Sequence, residues 1–224
     1  MKGVQIMNLL KIVPVILLMT ACGDTRYNNP HNNKNVLVIG DSISGGWFLP
    51  TQYLLRDEFR LIRLTANPST TWIENARNTN YTLRNLDGWL TQFPNNDTIV
   101  WNNGIWNAAP VTPGQDYRDY GTDVAQYEAE LIQIATKMKV SARRVIFLTT
   151  TQLTPSETRA SNTINFQFND IAKRVLPPLG VEVHDLWEFT IDHQDWHTSP
   201  TDLHFHGIAN ENIAYWLLPI IRKL

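Results

Sequence analysis

Four short stretches of the 224-residue sequence carry side chains that could do chemistry together. Gly40-Asp41-Ser42 places a hydroxyl directly after the apolar run Asn35 to Ile39. A serine becomes a nucleophile when a base takes its proton, and histidine is the side chain whose unperturbed pKa suits that task near neutral pH. Asp202-Leu203-His204-Phe205-His206 supplies two such imidazoles, with one carboxylate two residues before the first and four before the second. An attacked carbonyl also needs donors aimed at the negative charge it develops. Asn102 and Asn103 offer side-chain amides after a second apolar run, and the polar loop Glu74 to Thr79 offers backbone NH groups where a helix opens. Taken singly, each stretch has a plainer use. Ser42 reads as a helix cap, Asn75, Asn78 and Thr79 as loop and cap residues, and Asn102-Asn103-Gly104 as a turn. His193 and His197 lie in a run without the spacing of a known zinc motif, and they read as a solvated loop with no metal.

These stretches need a scaffold that brings their ends to one place. Val36 to Ile39 is apolar and β-branched without polar alternation, the pattern of a strand buried on both faces of a parallel sheet. Further strands are predicted at Arg60 to Thr65, Thr98 to Asn102, Arg144 to Thr149 and Val181 to Asp185. Helices are predicted at Trp47 to Asp57, Asn78 to Gln92, Tyr120 to Lys139, Asn162 to Val175 and Gly207 to Lys223. This alternation predicts an α/β domain, a three-layer αβα sandwich over a parallel five-stranded sheet. Ligands in such sheets sit beyond the carboxyl ends of the strands, where Ser42 and the Asn pair fall. The long connection from Trp106 to Asp119 is expected to shape the substrate pocket, and Thr149 to Pro155 should reach the same face.

In this order the stretches resemble the sequence blocks of the SGNH (GDSL-type) hydrolases. Gly40-Asp41-Ser42-Ile43-Ser44 is similar to the first block, whose Ser is the nucleophile. Glu74-Asn75 with Thr79 is similar to the second block in a bacterial subgroup. By that register Arg77 stands where the family usually has Gly, whose backbone NH helps form the oxyanion hole. Any residue but Pro keeps the NH, whereas Gly is also used for positive φ. Asn102-Asn103-Gly104 resembles the third block, which points to Asn102 with Asn103 as the fallback. His204-Phe205 before a Gly-initiated helix resembles the fifth block, whose His is the general base. That block has Asp three residues before its His, where this chain has Thr201. Either Asp202 orients His204, the preferred reading, or a backbone carbonyl does so and the unit is a Ser-His dyad; His206 is a competing base. The resemblance implies a flavodoxin-like SGNH fold and ester hydrolysis through an acyl-enzyme. It implies no metal and no organic cofactor. Its catalytic residues would be Ser42, His204 and Asp202, with an oxyanion hole from the NH groups of Ser42 and Arg77 and the Asn102 side chain.

A net charge of -2 with 18% charged residues gives no basic surface for nucleic acid. Residues 1–22 read as an export signal, because the apolar run Ile12 to Met19 is too short to span a bilayer. Leu18-Met19-Thr20-Ala21-Cys22 also resembles a bacterial lipobox, which makes Cys22 the expected lipidation site and residues 23–34 a flexible tether before the domain at 35–224. Such an anchor is the expected membrane contact of an exported, surface-tethered protein. Cys22 is the only cysteine, which leaves no disulfide framework. The expected substrate is a small-molecule or polysaccharide ester, with removal of acetyl groups from carbohydrate as the lead. Lysophospholipid or short-chain lipid esters, and acyl transfer on the same fold, are the alternatives. The reading outside catalysis is an impaired SGNH fold that binds glycans.

Overall fold

A computed structural model describes residues 34–64, 74–109, 121–154, 156 and 161–223. The signal, lipobox and most of the tether expected at 1–33 lie outside the described residues, as does most of the connection 106–119.

The five strands β1 (Asn35–Ile39), β2 (Arg60–Arg63), β3 (Asn96–Trp101), β4 (Ala142–Leu148) and β5 (Glu182–His184) form one sheet in the order β2-β1-β3-β4-β5. Every neighbouring pair is parallel. Alternate residues of the central strands enter two separate cores. Val36, Val38, Val100, Ile146 and Leu148 join the core beneath helices α1 (Ser42–Leu55) and α7 (Gly207–Ile221). Leu37, Ile39, Ile99, Trp101, Val145 and Phe147 join the core beneath α2 (Thr79–Gln92), α4 (Val124–Ser141) and α5 (Asn162–Val175). A strand that buries both faces must be apolar at every position, which is why these runs show no alternation. The αβα sandwich is therefore the fold, with α3 (Ile105–Ala108) and α6 (Leu186–Thr190) as short additions.

The element boundaries follow the sequence pattern to within a few residues, α4 beginning at Val124 where the pattern predicts Tyr120, and they part most at the start of α1. The pattern predicts the first helix from Trp47, but it begins at Ser42. The Asp41 carboxylate accepts the Ile43 NH at 3.0 Å, so the cap starts the helix five residues before the apolar pattern does. Gly45 and Gly46 lie inside the helix, and a Cβ at Gly46 would come within 2.4 Å of Asn210 Oδ1. Close packing of α1 on α7 thus requires a residue that propensity alone disfavours. Arg144 pairs with Glu182 and donates to the Ile220 carbonyl at 2.7 Å, tying β4 to β5 and to the end of α7.

In the order β2-β1-β3, the chain leaves β1 toward one edge and later returns to its other side. The crevice between the ends of β1 and β3 is a topological switch point, where open α/β sheets bind ligands. Ser42 follows β1 and Asn102 follows β3.

Candidate active site

Ser42 is half-buried at the first position of α1, where its NH has no intrahelical acceptor. Its Oγ lies 2.8 Å from His204 Nε2, across a sequence separation of 162 residues. His204 Nδ1 lies 2.7 Å from Asp202 Oδ1. The loop carrying both residues is pinned by an antiparallel bridge between His197 and Phe205. It is held further by bonds from the Thr198 NH to the His204 carbonyl (2.9 Å) and from the His206 NH to the Trp196 carbonyl (2.9 Å).

The spacing of two residues works through an Asx turn. Asp202 Oδ1 accepts both the backbone NH of His204, at 3.1 Å, and its ring nitrogen. Asp202 Oδ2 accepts the Thr198 hydroxyl at 2.8 Å. Desolvation pushes the Asp202 carboxyl upward, but the bonds from the His204 NH, the Thr198 hydroxyl and the His204 ring hold it well below the usual carboxylate range. Thr201, in the position where the resemblance places an Asp, is exposed and bonded locally to Ser199. His206 caps α7 by accepting the Ala209 NH at 3.3 Å, so its ring serves the helix. His193 stacks on Trp196 with ring centroids 3.9 Å apart, and His197 is buried against Phe205 at 4.8 Å.

The two asparagines after β3 part company. Asn103 is fully buried and committed to structure: Nδ2 donates to the Arg77 carbonyl (2.8 Å) and Thr82 Oγ1 (3.1 Å), and Oδ1 accepts from Trp101 Nε1 (2.6 Å). Asn102 sits against the nucleophile turn, its Nδ2 3.4 Å from Asp41 Oδ2. A Cβ on Gly40 would lie 2.2 Å from Asn102 Oδ1, so glycine is needed there to admit the Asn102 side chain. Burial pushes the Asp41 carboxyl up, against the Ile43 NH bond and the charge of Arg63.

Arg77 has φ 50, the left-handed conformation for which glycine is ordinarily used. Its carbonyl accepts from Asn103, and its guanidinium lies 4.5 Å from the Tyr81 ring centroid. Its NH donates to Asn75 Oδ1 at 2.9 Å, so this donor already has an acceptor. Asn75 thus makes the loop chemistry its type leads one to expect, an Asx turn, and that turn engages the third expected oxyanion donor. Asn78 caps α2 through the Tyr81 NH at 2.8 Å, and the Thr79 hydroxyl bonds the buried Glu130 at 2.6 Å. A hollow of about 450 Å³ lined by Thr154, His197 and Thr198 adjoins the Asp202 side of the site.

No family model matches the chain, and no curated protein matches it by sequence. Solved structures match its fold. The acetyl xylan esterase AlAXEase superposes with a TM-score of 0.63 at 16% identity, over 84% of this chain and 99% of that one. A mutant of the acetyl-xylooligosaccharide esterase Axe2 from Geobacillus stearothermophilus gives a TM-score of 0.66 at 14% identity, over 83% and 93%. TesA gives 0.62 at 17% identity, over 84% and 98%. The chain thus shares the fold of these structures, and its parallel five-stranded α/β sheet is the one its alternation of strands and helices leads one to expect.

Proposed function

We propose that this protein is a serine ester hydrolase that removes short acyl groups, acetyl above all, from a carbohydrate ester. The observation that carries the reading is the relay from Ser42 Oγ through His204 to Asp202, with contacts of 2.8 and 2.7 Å at the switch point of the sheet. The likeness in fold to esterases that act on acetylated xylan and xylooligosaccharide supports acetyl as the acyl group.

In this reading His204 Nε2 takes the Ser42 proton as Oγ attacks the ester carbonyl, and Asp202 stabilises the imidazolium that forms. The oxyanion is received by the Ser42 NH and the Asn102 amide, with the Arg77 NH as a third donor shared with Asn75. The tetrahedral intermediate collapses, His204 gives its proton to the leaving alcohol, and an acetyl-Ser42 ester remains. Water then attacks that ester, its proton passing to His204 and on to Ser42 Oγ as acetate leaves. Export and tethering through Cys22 would place this chemistry at a membrane surface facing polysaccharide.

Hydrolysis of p-nitrophenyl acetate, butyrate and octanoate by the full chain and by Ser42→Ala tests the reading, with acetate release from acetylated xylan as the second assay. Turnover that falls with acyl length and vanishes in Ser42→Ala is expected. A parent protein no faster than Ser42→Ala on every ester would overturn the hydrolase reading in favour of glycan binding. A preference for octanoate would move the substrate to lipid esters.

A further inference from the structure

One charged side chain near the nucleophile has no part in the relay. Arg63, at the end of β2, is only 4% exposed and points beneath the first turn of α1. One terminal nitrogen donates to Ser44 Oγ at 2.6 Å and the other to the Asp41 main-chain carbonyl at 2.7 Å, while its Nε has no partner. That carbonyl is unusually crowded: the Ser44 hydroxyl reaches it at 2.6 Å and the Gly45 NH at 3.3 Å, so it accepts from three donors. Desolvation lowers the Arg63 pKa to about 10, with the Asp41 charge acting in the opposite sense, so it remains a cation at neutral pH. A buried guanidinium is costly, and an apolar side chain of similar volume often holds a fold as well.

The carbonyl that Arg63 holds belongs to the peptide unit whose NH is that of Ser42. A trans peptide is planar, so its C=O and N–H point in opposite directions and turn together. Donors fixed on the oxygen therefore fix the direction of the NH on the other side, and a cation there draws electron density out of that NH. Resting on the hydrolase reading above, we propose that Arg63 is a positioning residue of the oxyanion site: it clamps and polarises the Asp41–Ser42 peptide so that the Ser42 NH meets the developing oxyanion. Ser44 is the second jaw of the clamp, since its hydroxyl bonds both Arg63 and the same carbonyl.

The test uses the full chain with Arg63→Met and Arg63→Lys. With p-nitrophenyl acetate, Arg63→Met should lower kcat roughly 10- to 100-fold, less than outright deletion of an oxyanion donor. KM should stay within about threefold, because the interaction forms in the transition state. The inhibition constant of a boronic acid, which mimics the tetrahedral intermediate at Ser42, should weaken by the same factor as kcat. Arg63→Lys, which restores one charged donor, should recover most of the loss. A residue with a merely structural role would lower melting temperature without this matched loss. The proposal is overturned if Arg63→Met keeps kcat within about threefold of the parent. It is equally overturned if kcat falls while the boronate constant is unchanged. The Ser42 amide nitrogen resonance separates this outcome from failure of the hydrolase reading. It should shift between parent and Arg63→Met whether or not the protein cleaves esters, and an unmoved resonance removes the clamp.

Discussion

Replacing Asp202 with Asn tests whether the site works as a triad or as a Ser-His dyad. The carboxylate is in contact with His204 Nδ1 at 2.7 Å, yet the two side chains are 36% and 39% exposed, so solvent screens the pair. With an effective dielectric of about 40, midway between interior and water, charges about 4 Å apart interact by ~2 kcal/mol. Losing that attraction when the imidazolium forms slows acylation about 30-fold. An Asn amide can also present its NH2 to Nδ1 and hold the wrong tautomer, which adds about another decade. The expected fall in kcat/KM on p-nitrophenyl acetate is thus ~300-fold, above the Ser42→Ala background. Thr198→Val, which removes only the hydroxyl bond to Oδ2, should cost less than about tenfold and controls for loosening of the loop. Asp202→Asn within about threefold of the parent would refute the triad and leave a dyad. The stability of the same variant has a signed pH dependence. The folded Asp202 pKa is depressed, so its contribution is complete above the unfolded value of about 4 and is lost as pH falls through the folded value. The gap in urea stability between parent and Asp202→Asn should be level at neutral pH and close in acid.

Three further substitutions separate chemistry from structure at the site. Asn102→Ala should lower kcat by roughly 10²–10³, as expected for an oxyanion donor, and cost less stability than the change at Asn103, because it gives up only the long contact with Asp41 Oδ2. Asn103→Ala should instead destabilise the fold by about 2–4 kcal/mol, since it orphans the Trp101 indole NH and the Arg77 carbonyl. Kinetics and thermal melts that exchanged these effects would reverse the assignment. Arg77→Gly should stay within about 1 kcal/mol of the parent, because relief of left-handed strain offsets the lost contact with Tyr81 and the added freedom of glycine in the unfolded chain. Its kcat should also hold, because the NH remains; a fall beyond about tenfold would mean that the guanidinium itself meets substrate.

The layers of this fold are legible because both faces of the central strands are covered. Val36 to Ile39 can be read as buried without knowing which residue meets which helix. The start of α1 is not legible, since Gly45 and Gly46 argue against a helix there. The compensating contact, with Asn210 on α7, lies far away in sequence. The division of labour between Asn102 and Asn103 is equally hidden, because it depends on Trp101, Thr82 and Arg77 converging on one amide. Nothing in the Asp202-to-His204 spacing announces an Asx turn, although Asp is a residue that commonly makes one. Arg63 escapes the sequence reading altogether, yet a signal is present: an arginine between Ile62 and Leu64 interrupts an apolar strand where nothing in the pattern asks for charge.

The departure at Arg77 shows what the site requires. Glycine, the residue that the resemblance leads one to expect at this register, is the one that adopts positive φ without strain. Here the conformation is adopted without the glycine, at φ 50, at a cost of about 1 kcal/mol for a left-handed side chain. What holds it is a set of bonds on both sides of the residue: Asn75 on the NH, Asn103 on the carbonyl, and Tyr81 under the guanidinium. The same logic applies at Ser42, where Asp41 caps the helix and Arg63 and Ser44 hold the preceding carbonyl. Donors that stabilise a transition state must be aimed before the charge appears, because reorienting them during the reaction would consume the stabilisation they provide. In the proposed site, Gly40, Asn75 and Asn103 within the blocks and Arg63 outside them therefore set the aim of the Asn102 amide and of the Arg77 and Ser42 NH groups.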